Sequence, residues 1–233
     1  MQLLELLKSK YDESMLNRLV IINCAVFVFV LLTDAVLSFT DSSLTAAVIT
    51  QFQWNLSDFP FRPWTLVTSP FTSWGLWHLL FNMVTLYWLG GLFLERSTSN
   101  ALRGLYILSA MAAMAAIVLT GLVPGIHEKD WPQSVPLASA SVLAIGTALA
   151  FQQPDRTEAI PVIGQVRIKW IVIALGLIDV SMLPRVTPVS DIAHLAAAAT
   201  GWAFQRLIWK GIDMTAPLTG IIVQIETWLK RIR

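Results

Sequence analysis

The sequence predicts an all-α protein that crosses a membrane as a bundle of six transmembrane helices. Of its 233 residues, 55% are apolar and only 13% are charged, whereas soluble proteins carry about 25% charged residues. The ten Trp and eleven Phe residues supply the aromatic side chains that gather at membrane–water interfaces. Six apolar segments also alternate with more polar connections along the chain. The lipid bilayer is therefore the predicted surrounding of most of the protein.

A helix needs about 20 apolar residues to cross a bilayer, and the apolar segments are judged against that length. The six predicted spans are Leu19–Phe39, Gly75–Leu94, Leu105–Ile126, Val135–Gln153, Trp170–Leu183 and Ile192–Trp209. The fifth span has only 14 residues, and it becomes long enough if Val166–Lys169 extends it, with Arg167 and Lys169 reaching the membrane surface. The fourth span is crowded with Ala, Ser and Gly, which lets neighbouring helices approach closely.

Two amphipathic segments flank a single membrane domain at residues 18–210. Residues 1–17 alternate Leu with charged side chains and are expected to lie on the cytoplasmic membrane surface. Residues 211–233 mix Ile, Val and Leu with polar residues and end in basic ones, which predicts a cytoplasmic interfacial tail. A seventh span at this tail is the weaker alternative. The aromatic connection Asp41–Trp74 is expected to lie partly in the outer leaflet.

The basic residues indicate how the chain is oriented. Six spans place 13 of the 16 Lys and Arg residues on the side that holds both termini, and leave Arg62, Lys129 and Arg185 on the other. Because basic residues collect on the cytoplasmic side, both termini are predicted to be cytoplasmic. The compact six-span form points to the inner membrane of a bacterium. A net charge of +1 gives no reason to expect a nucleic acid partner.

Four polar residues lie near the outer ends of predicted spans: His78, Asn82, Ser139 and His194. Ionisable residues inside a membrane are costly and often functional. His78 and Asn82 are four residues apart and therefore share one helix face. Taken singly, each residue is more simply explained by packing or by hydrogen bonding between helices. Taken together, at matching depth, they predict a catalytic site.

The residue types suit nucleophilic catalysis. A serine hydroxyl needs a base to take its proton, and histidine serves this role near neutral pH. Asn82, His78 and the Ser139 backbone N–H are suited to stabilise an oxyanion. Asp34 and Asp179 are candidates to orient His194, but the sequence favours neither, so a Ser–His dyad is expected. Cys24 is the only cysteine and no HExxH motif occurs, so neither a metal nor another cofactor is predicted.

The residues from about Phe61 to Phe204 resemble the rhomboid family of intramembrane serine proteases. The strongest match is WHLLFNMVTLYWLGGLFLE, which is similar to the family's H-x-x-x-N helix and implies that His78 and Asn82 serve the oxyanion hole. The sixth span is similar to the pattern A-H-x-x-G-x-x-x-G and implies that His194 is the general base. The fourth span aligns with G-x-S-G and implies that Ser139 is the nucleophile, with Ser141 as the alternative.

Three family glycines are replaced in this chain. Leu137 and Ala140 flank the serine, and Ala197 stands in the sixth span. Alanine costs little where two helices only need to be close. Leu137 beside the oxyanion hole is expected to narrow the approach of a substrate.

The resemblance implies a serine endopeptidase that cleaves transmembrane protein substrates near the outer membrane face. The main alternative is an inactive rhomboid-like pseudoprotease that binds client membrane helices. A transporter or channel is a further alternative, and the lack of charged pairs at mid-membrane and of inverted repeats argues against it. The sequence assigns no oligomeric state.

Overall fold

The computed structural model describes residues 2–38, 51–53, 61–73, 75–121, 137–181 and 188–232, and this part of the chain is mostly helical. Its long helices are α1 (Gln2–Ser38), α2 (Leu76–Leu94), α3 (Ser99–Gly121), α4 (Ala138–Gln152), α5 (Ile168–Ser181), α6 (Pro188–Ile208) and α7 (Ala216–Ile232). A helical turn at Thr65–Thr68 and a 3₁₀ turn at Ser69–Phe71 precede α2. The predicted spans thus correspond to helices α1 to α6.

Three helices are long and apolar enough to cross a membrane among the residues described: Met15–Leu37, Leu76–Leu94 and Ser99–Gly121. Helix α4 is apolar but has only 15 residues. The chain is therefore a multi-pass membrane protein, while the count of six spans remains a prediction. Helix α1 is continuous over 37 residues and joins the predicted surface segment to the first span without a break.

A small β-hairpin interrupts the helical architecture, which the sequence analysis did not predict. Strands β1 (Thr157–Ile160) and β2 (Gly164–Arg167) pair antiparallel, with Thr157 opposite Arg167. The predicted extension of the fifth span over Val166–Lys169 is wrong in its first half. Val166 and Arg167 belong to β2, because their backbone groups pair with β1, and α5 begins only at Ile168.

Helix α4 lies at the centre of the bundle, where it contacts α2, α3, α5 and α6. Its small residues make this possible: Ala144 and Ala148 are fully buried. A Cβ added to Gly201 of α6 would lie 2.1 Å from the carbonyl oxygen of Ala144, so only glycine allows the two backbones to come this close. This contact sets the spacing between α4 and α6 below the candidate site.

Helix α7 packs against α3 through a polar contact as well as an apolar one. The Arg103 side chain is 6% exposed and lies 2.7 Å from the Glu226 carboxylate. A Cβ added to Gly104 would lie 2.5 Å from the Cβ of Thr215. The opposite side of α7 exposes Ile221, Val223, Ile225 and Trp228. Such a face suits a helix at a membrane interface, and the placement of residues 211–233 there remains a prediction.

Candidate active site

Ser139 lies at the start of α4, where the chain enters the helix through Leu137. The backbone N–H of Leu137 donates to the Ser69 carbonyl at 3.1 Å, and α4 begins at Ala138. Ser139 is therefore the second helical residue, and its N–H is among those without an acceptor inside the helix. Its side chain is buried. This position provides a hydroxyl group and an N–H group without an acceptor inside the helix at the same helix end.

His194 of α6 meets this hydroxyl. Its Nε2 lies 3.0 Å from Ser139 Oγ, and its Nδ1 lies 2.7 Å from the Ser190 carbonyl oxygen one turn earlier. A carbonyl only accepts hydrogen bonds, so Nδ1 carries the hydrogen in this contact. In the neutral ring Nε2 then has a free lone pair directed at the serine hydroxyl. The pair is arranged to move the Ser139 proton to His194.

Ser141 points elsewhere, although it is only two residues from Ser139. Its hydroxyl is fully buried and donates to the Tyr106 carbonyl of α3 at 2.7 Å. The structure thus brings Ser139, and not Ser141, to His194. Ser141 serves as a hydrogen-bonding link between α4 and α3.

His78 and Asn82 are both buried on one face of α2, as the sequence predicted. The Asn82 amide Nδ2 donates to the His78 carbonyl at 2.8 Å. Asn82 and Ser139 also line one small cavity of about 20 Å³ between α2, α4 and α5. The other lining side chains are mainly apolar, among them Phe81, Leu89, Val142, Val172 and Leu175.

Asp179 of α5 is the side chain that joins these groups. The sequence alone favoured neither Asp34 nor Asp179 as the partner of His194. Asp179 Oδ2 lies 3.0 Å from His194 Nε2, and its Oδ1 lies 3.2 Å from His78 Nε2 and 3.4 Å from Asn82 Nδ2. Asp34, in contrast, lies half-buried on α1. One signal pointed to Asp179: it is the only acidic residue in predicted spans two to six.

The Asp179 contact differs from that of a Ser–His–Asp triad. In a triad the carboxylate binds Nδ1, the ring nitrogen opposite the one that serves the nucleophile. Here Asp179 and Ser139 both approach Nε2, while Nδ1 is occupied by the Ser190 carbonyl. Asp179 therefore does not orient His194 in the triad manner, and the Ser–His dyad remains a prediction.

Leu137 does not narrow the cavity as the sequence analysis expected. Its side chain is 1% exposed and belongs to the apolar core, and it is not among the residues that line the cavity. Its backbone has φ −116° and ψ 8°, which a residue with a side chain adopts without strain. Within the residues described, no group of three or more His, Cys, Asp or Glu side chains is arranged to hold a metal ion.

Fold and site together define a class, that of multi-pass helical membrane proteins with a buried serine–histidine pair at the ends of two neighbouring helices. The rhomboid domain matches residues 60–223, well over half of the chain, and the chain therefore belongs to the rhomboid family. The matched region contains the whole of the predicted resemblance over Phe61–Phe204. Rhomboid proteins are generally intramembrane serine proteases that act on transmembrane substrates, although inactive members exist. Comparison with curated proteins gave no match.

Proposed function

We propose that this protein is an active intramembrane serine endopeptidase with Ser139 as the nucleophile and His194 as the general base. The observation that carries the proposal is the 3.0 Å contact between Ser139 Oγ and His194 Nε2. Both side chains are buried, so the pair is shielded from bulk water and its electrostatic interactions are strengthened. The fixed Nδ1 contact with Ser190 holds the ring in the form that accepts a proton.

The reaction follows from this arrangement. Ser139 Oγ attacks the carbonyl carbon of the peptide bond while His194 Nε2 takes the hydroxyl proton. The oxygen that gains negative charge is stabilised by Asn82 Nδ2, His78 Nε2 and the Ser139 N–H. His194 then gives its proton to the leaving amine as the bond breaks. Water attacks the acyl-enzyme with His194 again as base, which releases the new carboxylate and restores Ser139.

The lining of the cavity between α2, α4 and α5 supports the proposal that the substrate is a transmembrane segment. Its walls are mainly apolar, and such a lining favours the side chains of a membrane segment over charged ones. The charge distribution along the sequence supports cleavage near the outer face, with both termini in the cytoplasm. A bacterial inner membrane is the location that we infer from the compact form of the chain.

A pseudoprotease that binds client membrane helices is the second candidate, and one observation favours it. The Asp179 carboxylate lies against the groups assigned to base and oxyanion hole. If the carboxylate always stayed at this place, the protein could bind a client helix in the cavity but could not catalyse its cleavage.

Covalent labelling separates the two candidates. Purified protein in detergent is treated with a fluorophosphonate probe, beside the variants Ser139→Ala and Ser141→Ala, and is then incubated with a model transmembrane substrate. We expect labelling and cleavage in the unmutated protein and in Ser141→Ala, and neither in Ser139→Ala. Labelling lost only in Ser141→Ala would show that Ser141, and not Ser139, is the nucleophile. Absence of both labelling and cleavage in the unmutated protein would favour the pseudoprotease.

A further inference from the structure

We propose that the Asp179 carboxylate is an internal blocking group, which occupies the place of the substrate's carbonyl oxygen until it is displaced. The proposal rests on the proposed function and adds a control of the same site. It concerns a carboxylate that a Ser–His dyad does not require. Asp179 is 5% exposed, so contact with solvent does not explain why a carboxylate lies here.

The carboxylate lies against the polar side chains of α2 that are assigned to the oxyanion hole. Asp179 Oδ1 lies 3.2 Å from His78 Nε2 and 3.4 Å from Asn82 Nδ2. An oxyanion needs these same donors at about 2.7–3.1 Å. The Asn82 amide donates to Oδ1 and is then not available to a substrate oxygen, while the carboxylate oxygen occupies the space in front of His78 Nε2. The negative charge would in addition repel a developing oxyanion at a distance of a few ångströms.

The carboxylate also competes with Ser139 for the general base, His194. Asp179 Oδ2 and Ser139 Oγ both lie 3.0 Å from His194 Nε2. A ring nitrogen either carries a hydrogen or accepts one, so Nε2 cannot donate to Asp179 and accept from Ser139 at the same time. The contact with Asp179 is a hydrogen bond when a proton lies between Nε2 and the carboxylate. While that proton is in place, Nε2 has no lone pair to receive the proton of Ser139. The carboxylate therefore blocks the base and the oxyanion hole together.

Helix α5, which carries Asp179, is packed more tightly in its first half than in its second. Among the α5 residues whose side chains the structure describes, the buried apolar ones are Ile168, Ile171 and Val172, all in its first half. Leu177 and Ile178 beside Asp179 are 68% and 45% exposed. In the second half of α5, Leu175 packs against the core, and the polar contacts of Asp179 add to this attachment. Displacing the carboxylate would open the cavity and free the base in one movement.

Labelling kinetics test the proposal. The second-order rate constant of fluorophosphonate labelling is measured for the unmutated protein, Asp179→Ala and Asp179→Asn, with Asp34→Ala as the control for loss of an aspartate elsewhere in the membrane. We expect a rise of about tenfold or more in Asp179→Ala, since a competent form populated to about 10% or less becomes the main one. The uncharged Asp179→Asn should also label faster, and Asp34→Ala should label at the unmutated rate.

Acetate provides a readout that a merely structural role would not change. A free carboxylate can enter the space left in Asp179→Ala, so sodium acetate should slow its labelling toward the unmutated rate. Sodium chloride at the same ionic strength should not, and the unmutated protein should respond to neither salt. Melting temperatures in detergent show whether each variant is folded, and Asp179→Asn carries the test if Asp179→Ala is not.

The outcomes distinguish this inference from the proposed function. Labelling of the unmutated protein with equal or slower labelling of both Asp179 variants would overturn the blocking role and leave the protease intact. Labelling of Asp179→Ala alone would support the blocking role in its strongest form. No labelling of any folded variant would overturn both.

Discussion

Two serines that are two residues apart do different work at the start of α4. Successive helical residues are rotated by about 100°, so Ser139 and Ser141 point to nearly opposite sides. Ser139 contacts His194 of α6, while Ser141 donates to the Tyr106 carbonyl of α3. The sequence could not separate them, because α4 is apolar around its whole circumference and has no polar face that would indicate its rotation. The packing of α4 between α3 and α6 determines which of the two serines faces His194.

Ser141→Ala is expected to cost stability and leave the chemistry intact. The change removes the hydrogen bond to the Tyr106 carbonyl, which lies in a fully buried place. Losing such a bond costs about 1 kcal/mol, and the smaller side chain adds little. Thermal unfolding in detergent should give a lower melting temperature, while fluorophosphonate labelling keeps its rate. Normal stability together with lost labelling would contradict this assignment.

At the scale of the helices, the approach of α4 to α6 places the hydroxyl and the imidazole together. Small residues in both spans predicted that these helices would be neighbours, and the positions of His78 and Asn82 on one face of α2 followed from their spacing. The role of Asp179 could not be derived in this way. Its distance to His194 depends on how the end of α5 packs, and sequence spacing carries no such information. The β-hairpin was missed because its two strands have only four residues each.

Gly201→Ala is expected to damage both stability and labelling. The new methyl group would lie 2.1 Å from the Ala144 carbonyl oxygen, and backbone cannot yield as a flexible side chain does. Such overpacking costs about 1–3 kcal/mol or more, and the forced separation would lengthen the contact between Ser139 and His194. The melting temperature and the labelling rate should fall together.

Gly91→Ala on α2 is the matched control for this substitution. A Cβ at Gly91 meets no atom within 4 Å, and alanine in a helix interior stabilises by roughly 0.5–1 kcal/mol relative to glycine. The variant should therefore melt at the same or a higher temperature. A Gly201→Ala protein as stable and as reactive as Gly91→Ala would show that the spacing of α4 and α6 is not tight.

An ion pair joins the end of α2 to the connection that follows α4. Arg156 donates to both carboxylate oxygens of Glu95, through Nη1 to Oε2 and through Nη2 to Oε1 at 3.0 Å. The hydrogen bond from Arg156 lowers the pKa of Glu95 below its usual value of 4.5. Since the folded pKa is lowered, the stabilisation is present above pH 4.5 and is lost as the pH falls through the folded value.

Glu95→Gln is therefore expected to lower the melting temperature at pH 7 and to have a progressively smaller effect as the pH falls below 4.5. The Glu95 side chain is 50% exposed, so solvent screening limits the contribution to about 0.2–1 kcal/mol. Thermal unfolding of both proteins across this pH range measures the difference. Asp155→Asn, which removes a neighbouring exposed acid, should leave the curve unchanged. A Glu95→Gln effect that stays constant as the pH falls below 4.5 would rule out the ion pair as its cause.

At the scale of the whole molecule, the orientation of the protein in the membrane determines on which side the proposed cleavage takes place. The charge count predicts that residues 61–73 lie outside and that the end of α6 lies in the cytoplasm. The single cysteine, Cys24, makes this testable, because a Cys24→Ala protein offers no background thiol. Phe61 is 81% exposed and Lys210 is exposed at the opposite end of the predicted topology.

A membrane-impermeant maleimide applied to intact bacterial cells should label Phe61→Cys in the Cys24→Ala background. Lys210→Cys in the same background should react only after the membrane is permeabilised. Both variants should react equally once the membrane is dissolved in detergent, which controls for the reactivity of each thiol. The orientation decides where Ser139 works, since residues 61–73 contact the start of α4 through the bond from Leu137 N–H to the Ser69 carbonyl. Labelling of Lys210→Cys alone in intact cells would invert the topology and place the proposed cleavage on the cytoplasmic side.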